Sequence, residues 1–183
     1  MIDSDTPPNE PHNNIVDNSE RVAAGLATPL PDGFSYAKAD DFPFTAIEDL
    51  FRTAYTDEQV WNMYLPTRDE DLSKAGLREA DIAISFEGRL VAFANIISRE
   101  GRGEMGDLVV HPAAQHQKLA QTLTLERLAI AEQQGITSLF IPPITDQNTL
   151  GPFYIENGFT QNPDGSFSRG PDPRPVLYQP EEQ

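Results

Sequence analysis

The chain has 183 residues, no cysteine, three histidines and a formal net charge of −16 at pH 7. That length suits one domain whose core needs neither disulfides nor metal. The lack of cysteine excludes thiolate zinc sites, iron–sulfur clusters, cysteine nucleophiles and a disulfide scaffold. The charge repels nucleic-acid phosphates and anionic membranes; it either favours cationic partners such as amines and basic peptides or simply keeps the protein in solution.

His12, His111 and His116 form no helical H-x-x-x-H pair, so no metal site is expected. No apolar run is long enough to span a membrane, and residues 1–30 lack the basic start and apolar centre of a signal peptide. A cytoplasmic protein is the expectation. Residues 1–32 are rich in Pro, Asn, Asp and Ser and poor in large apolar side chains, which predicts a disordered acidic tail with at most a helical turn near 19–26.

Order is expected from Gly33, with Phe34, Tyr36 and Lys38 alternating in a first strand. Phe44, Ile47, Leu50, Phe51 and Ala54 recur at three and four, predicting an amphipathic helix over 44–55 with Pro43 at its first turn. Further helical patterns cover 57–64 and 70–77; Trp61 and Tyr64 there either shape a substrate pocket or pack two helices together. Ile82, Ile84 and Phe86 alternate before the turn Glu87-Gly88. The nearly continuous apolar run 90–97 then predicts a hairpin whose second strand is covered on both faces.

A third strand is expected over 104–110, broken by Pro112, after which a helix carries Leu119, Leu123, Leu128 and Ile130 and stops at Gly135. A strand end followed at once by a helix N-terminus presents unpaired N–H groups and the positive end of the helix dipole, which suits an anion. Ser138 to Ile141 reads as a buried strand halted by Pro142-Pro143. A last helix over 149–156, with Pro152 tolerable only in its first turn, is closed by Asn157-Gly158. Strands are expected at 166–169 and 175–179, and 180–183 is a terminal tail. No internal repeat is visible, and the order βα(α)βββαβαββ implies a mixed α/β (α+β) sheet with helices on its faces.

Two motifs resemble the GNAT superfamily of acyl-coenzyme A-dependent N-acyltransferases over roughly 33–178. Val110-His-Pro112 with Gln115-His-Gln-Lys-Leu-Ala120 is similar to the family's V-x-P and [QR]-x-x-G-x-[GA] coenzyme A signature. Phe153-Tyr-Ile-Glu-Asn-Gly-Phe159 is similar to its F-Y-x-x-x-G-F. The resemblance implies a domain over 33–179 built on a mostly antiparallel twisted sheet with splayed central strands. It also implies acetyl-coenzyme A as co-substrate, held at Leu108, Val109 and Val110 and at Gln115, His116, Gln117, Lys118, Leu119 and Ala120.

By the same resemblance Tyr154 protonates the leaving thiolate, Glu104 deprotonates the amine, and backbone N–H groups near Val109 and Val110 receive the oxyanion. Each has a plainer reading: core packing for Tyr154, and a solvated position at a strand edge for Glu104. Asp107 and His111 are further candidates for the base. Regular alternation places Asp107 on the face opposite Glu104, and His111 reads as a turn residue. The chain departs from the family at Lys118, which stands where a glycine is expected.

The leading expectation is an N-acetyltransferase acting on a primary amine of a small molecule or peptide, by direct attack in a ternary complex. The acceptor is expected to be cationic, the chain monomeric or homodimeric, and neither nucleic acid nor membrane a partner. The alternatives are a non-catalytic coenzyme A-binding regulatory module, favoured by Lys118, and an interaction protein that has lost the cofactor.

Overall fold

A computed structural model describes residues 15–55, 76–143 and 147–176. The expectations for Trp61, Tyr64, the helix over 57–64, most of 70–77 and residues 177–183 lie outside these. Among the described residues the strands are β1 (Ile15–Asp17), β2 (Phe34–Ala37), β3 (Arg78–Phe86), β4 (Arg89–Arg99), β5 (Arg102–Glu104), β6 (Leu108–Val110), β7 (Ser138–Ile141), β8 (Thr160–Gln161) and β9 (Phe167–Arg169). The helices are α1 (Ser19–Ala23), α2 (Phe44–Arg52), α3 (Leu119–Gln133) and α4 (Gln147–Glu156). None is long and apolar enough to cross a membrane.

The strands form one mixed sheet in the order β1-β3-β4-β5-β7-β9-β8, with β2 added to β3 and β6 added to β4. Only β1 with β3 and β5 with β7 run parallel. The hairpin of β3 and β4 is the spine. Glu87 and Gly88 both hold positive φ, 50° and 79°, as a two-residue turn matched to strand twist requires. Ala92 to Ser98 of β4 are all buried, because α3 covers one face of the sheet and α2 the other.

On the first face Leu119, Leu123, Ile130 and Ala131 of α3 pack on Ala80, Ile82, Ile84, Ala92, Ala94 and Ile96. On the second, Ile47, Leu50 and Phe51 of α2 pack on Ala83, Phe93 and Val109. Strand alternation sorts these sets, since residues two apart share a face. Gly135, at φ 70°, ends α3 as its sequence predicts, and the Ile136 N–H returns to the Ala131 carbonyl at 2.8 Å.

Four expectations are corrected. Disorder is expected over 1–32, yet 15–32 is placed: β1 pairs parallel with β3, and Asn18, Arg21 and Thr28 bond the Glu126 carboxylate of α3. The helix expected to restart at Pro112 begins instead at Leu119, after a 3-10 turn over Pro112–Ala114. Pro152 lies inside α4 rather than in its first turn, so the Asn148 carbonyl four residues back loses its usual donor. Finally, the single strand expected over 104–110 is two strands, β5 and β6, and that break positions the site.

Candidate functional site

Strands β5 and β7 pair only as far as Glu104 opposite Phe140, and the Met105 N–H makes the last bond, 2.9 Å to the Phe140 carbonyl. Beyond it β6 stays with β4, while β7, paired with β9 along its other edge, ends at Pro142-Pro143. The sheet therefore splays at Gly106. Along β4, the Asn95 N–H bonds the Asp107 carbonyl at 3.1 Å and the His111 N–H bonds Val91 at 2.8 Å. Ladder alternation then turns Val109 toward β4 and leaves the N–H groups of Leu108 and Val110 facing the gap. Of the two backbone groups expected to receive an oxyanion, Val110 is oriented into the splay and Val109 is committed to the ladder.

Glu104 pairs with Ile97, whereas Asp107 stands beside Asn95. Two steps along β4 thus oppose three along its partner, which is a β-bulge with one extra residue. The extra residue inverts the alternation, so Asp107 shares a face with Glu104 and does not oppose it as regular spacing requires. Gly106 makes room for the bulge: a Cβ there would stand 2.8 Å from the Asn95 Oδ1. That oxygen accepts the Asp107 N–H at 2.8 Å.

Four carboxylates are buried on this face: Glu79, Asp81, Glu104 and Asp107. Asn95 ties them together, its Nδ2 donating to Glu79 at 2.9 Å and reaching Asp107 at 3.5 Å. Burial, then the charge of Glu79 and a hydrogen bond with it, push the Asp81 carboxyl well up, with smaller contributions from Asp40 and Asp107. Asp107 is pushed up to about 7, chiefly by burial and the charge of Glu79; Arg127 and Asn95 pull it down, and Glu104 adds to the rise. Burial also raises the Tyr55 phenol, whose hydroxyl donates to the Leu108 carbonyl at 3.1 Å. Glu104 is not solvated: it is 6% exposed, and its Oε2 accepts the Val176 N–H at 2.9 Å.

Tyr154 of α4 is 1% exposed, its ring against Phe159 and Phe167 with centroids 5.9 and 5.3 Å away. Arg127 of α3 is also 1% exposed, and its Nη2 donates to the Thr124 Oγ1 at 3.2 Å. Burial lowers the Arg127 pKa, and Tyr154, Asp107 and Tyr55 oppose that fall. Asn95, Arg127, Glu79, Asp81 and Tyr55 are thus site residues that neither motif contains. The readable signal for Arg127 was its position: it falls on the three-and-four stripe of α3, where Leu123 and Ile130 are core.

After β6, the His111 Nδ1 accepts the Ala113 N–H at 3.1 Å, so His111 is the turn residue the sequence suggests. Gln115, His116, Gln117 and Lys118 are exposed, while Leu119 is buried and anchors the helix and Ala120 is half-buried. Among the described residues no backbone carbonyl accepts from the N–H groups of 116–121. A run of free N–H groups at the start of a fifteen-residue helix suits a pyrophosphate. Among the described residues no group of three or more His, Asp or Glu is placed to hold a metal ion.

His116 and Lys118 hold φ of 67° and 58°, left-handed conformations that glycine adopts freely and other residues adopt at a cost of about 1 kcal/mol. The lysine thus occupies the backbone shape that the missing glycine would have taken. Lys118→Gly is expected to stabilise the fold by about that amount, raising the melting temperature by roughly 2–4 °C. Acetyl-coenzyme A affinity by calorimetry is expected to stay within about threefold, since the backbone N–H survives. A larger loss would assign the phosphate contact to the ammonium.

A family model described as the acetyltransferase (GNAT) family matches residues 44–159. No curated protein sequence matches the chain. Among solved structures it is similar to a PaiA N-acetyltransferase from Thermoplasma acidophilum in complex with coenzyme A, at 20% identity and a TM-score of 0.53, covering 74% of this chain and 96% of that one. It is similar also to the ribosomal-protein-S18-alanine N-acetyltransferase from Escherichia coli, at 16% identity and 0.54, covering 82% and 97%. An acetyltransferase from Streptococcus agalactiae gives 11% identity and 0.56, covering 77% and 100%. At such identities the likeness is one of fold.

Proposed function

The chain belongs to the acetyltransferase (GNAT) family, and from that premise we propose that it moves acetyl from acetyl-coenzyme A to a primary amine by direct attack in a ternary complex. The observation that supports this most is the splay. It leaves the N–H groups of Leu108 and Val110 without a backbone partner among the described residues, next to the buried Asp107. The pyrophosphate would sit on the N–H groups of 116–120, and the pantetheine arm would run along β6 toward the bulge.

In the reaction so proposed, a carboxylate takes a proton from the ammonium and the amine nitrogen attacks the thioester carbonyl carbon. The Val110 N–H donates to the oxyanion that forms. As the carbon–sulfur bond breaks, Tyr154 gives its proton to the thiolate, and the phenolate so formed takes the second proton that the nitrogen sheds on becoming an amide. Glu104 is the base the resemblance implies, but its Oε2 already holds the Val176 N–H. Asp107 lies beyond the last β5 to β7 bond, beside the opening, and is half protonated near neutrality. We therefore assign the proton transfer to Asp107, with Glu104 raising its proton affinity from the same face.

The acceptor proposed is cationic. The buried carboxyl groups of Glu79, Asp81, Glu104 and Asp107 make this face acidic, in line with the net charge of −16. The alternative, a coenzyme A-binding module without turnover, is favoured by one observation, Lys118 in a glycine conformation.

Calorimetry with acetyl-coenzyme A, followed by thiol release over polyamines, aminoglycosides, amino acids and basic peptides, tests the reading. Binding with amine-dependent release is expected. Binding without release for any acceptor selects the module, and no binding at millimolar ligand removes both readings.

A further inference from the structure

We propose that Asn95 of β4 is a positioning residue for acetyl transfer, a carboxamide that stands in for one rung of the sheet ladder and so fixes where the Asp107 carboxylate meets the splay. This rests on the reading of Asp107 as the base. It concerns a side chain that touches neither the thioester nor the amine in that scheme.

In a hydrogen-bonded antiparallel pair the two opposed residues exchange both main-chain bonds. Here one is made: the Asn95 N–H donates to the Asp107 carbonyl at 3.1 Å. The returning Asp107 N–H donates instead to the Asn95 Oδ1, at 2.8 Å, and no main-chain carbonyl among the described residues takes it. A side-chain oxygen in place of the main-chain one lets the partner chain carry an extra residue here without leaving a buried N–H unpaired. Gly106 is fitted to the same oxygen. A Cβ there would stand 2.8 Å from the Asn95 Oδ1, so any other residue would push the carboxamide off the Asp107 N–H.

The carboxamide has one workable orientation. Its oxygen faces the Asp107 N–H, because the amide nitrogen turned that way would set donor against donor. The Nδ2 is thereby turned to the carboxylates, donating to Glu79 at 2.9 Å and reaching the Asp107 Oδ2 at 3.5 Å. Asn95 is 0% exposed, so water does not compete for these bonds. Across the ladder on β3 it is paired with Asp81, which sets it between the acids of β3 and the acid of the bulge. Among the described residues its side-chain bonds go to Asp107 and Glu79 alone.

The two ends of the carboxamide have separable consequences. The oxygen sets the position of Asp107, which decides the rate once that carboxyl is ionised. The nitrogen favours the ionised form, which decides the pH at which that rate is reached. The other groups that act on Asp107 or on its neighbours are Glu79 and Asp81 of β3, Glu104 of β5, Tyr55 after α2 and, through its charge, Arg127 of α3. The carboxylates among them oppose ionisation, so loss of the Asn95 donor moves the Asp107 midpoint upward.

The test compares full-length wild type, Asn95→Leu and Asn95→Asp. Melting, acetyl-coenzyme A calorimetry, hydrogen exchange at the Asp107 amide and carbon-13 titration of its carboxyl are run beside the pH profile of thiol release with a polyamine acceptor. Asn95→Leu is expected to melt cooperatively and to bind acetyl-coenzyme A within about threefold of wild type. Its Asp107 amide should exchange about tenfold faster or more, and its Asp107 midpoint should rise by about one pH unit. The high-pH plateau of kcat should fall about tenfold or more, with KM for acetyl-coenzyme A little changed. Asn95→Asp keeps an oxygen for the Asp107 N–H and is expected to restore the slow exchange and part of the lost plateau.

A folded Asn95→Leu variant with wild-type amide exchange and plateau overturns the proposal, as does an Asn95→Asp plateau as low as that of the Leu variant. If Asn95→Leu loses its cooperative melt, Asn95→Ser, whose hydroxyl is too short to reach the Asp107 N–H, carries the same expectation and the same refutation. Exchange and carboxyl titration need neither cofactor nor acceptor. Failure of the transferase reading, seen as wild type that does not bind acetyl-coenzyme A, is therefore distinct from failure of the role of Asn95.

Discussion

Asp107→Asn is expected to lower kcat/KM for acetyl transfer by about 10²–10⁴-fold at neutral pH, the usual range for loss of a positioned general base. The asparagine keeps the size of the side chain and the backbone bond to the Asn95 Oδ1, so the bulge is expected to survive and acetyl-coenzyme A to bind normally. The wild-type rate should climb as pH rises through about 7, where Asp107 loses its proton, and the variant should lose that limb. Glu104→Gln is expected to cost less, since its Oε2 is bound to the Val176 N–H, and to move the limb downward, because its charge adds to the proton affinity of Asp107. If Glu104→Gln abolished the limb while Asp107→Asn left it in place, the two roles would have to be exchanged.

Glu126→Ala is the substitution with the largest expected effect on stability. The Glu126 side chain is fully buried on α3 and accepts from the Arg21 Nε at 3.1 Å, the Asn18 Nδ2 at 3.0 Å, and the Thr28 N–H and hydroxyl, each at 2.6 Å. Removing the carboxylate strands those donors and the Arg21 charge, a class of change that costs about 3–5 kcal/mol. Denaturant unfolding should show that loss, and proteolysis should become faster within 15–30, which Glu126 anchors to the domain. Burial alone would raise the Glu126 pKa, but its donors outweigh burial and the net shift is downward from 4.5. The stabilisation is therefore fully present above about pH 4.5 and is lost as pH falls through the lower folded value. An unfolding midpoint of Glu126→Ala equal to that of wild type at pH 7 would refute this anchoring role.

The elements set by periodicity were legible. The alternation of Ile82, Ile84 and Phe86, the turn at Glu87-Gly88, and the stripe of Leu119, Leu123 and Ile130 ended by Gly135 each carry their signal within one segment. The bulge was not, because it exists only as a mismatch between two segments: nothing in Glu104-Met-Gly-Asp107 reports how many β4 residues lie opposite. Gly106 hints at it, yet a lone glycine reads equally well as a turn.

The buried polar residues were not legible for a related reason. Glu79 and Asp81 alternate with Ala80 and Ile82, which describes a strand with one wet face. That face is instead closed over by α2 and by Val176 packed on Leu77 and Ile97. The N-terminal stretch looked too polar to order itself, and its order comes from a carboxylate about a hundred residues further on. Arg127 and Glu126 sat in plain view on the buried stripe of α3. A charge there marks either an error of register or a site, and here both residues are charges with partners of their own. Trp61 and Tyr64, which either shape a substrate pocket or pack two helices together, lie outside the described residues.

Acetyl transfer to a cationic amine at the splay beside Asp107 and Tyr154 is read out by amine-dependent release of the coenzyme A thiol. Wild-type protein is expected to release thiol from acetyl-coenzyme A in proportion to at least one cationic amine, with release lost in both Asp107→Asn and Tyr154→Phe. Release that persists unchanged in both variants, or tight acetyl-coenzyme A binding with no release for any cationic acceptor, would contradict it.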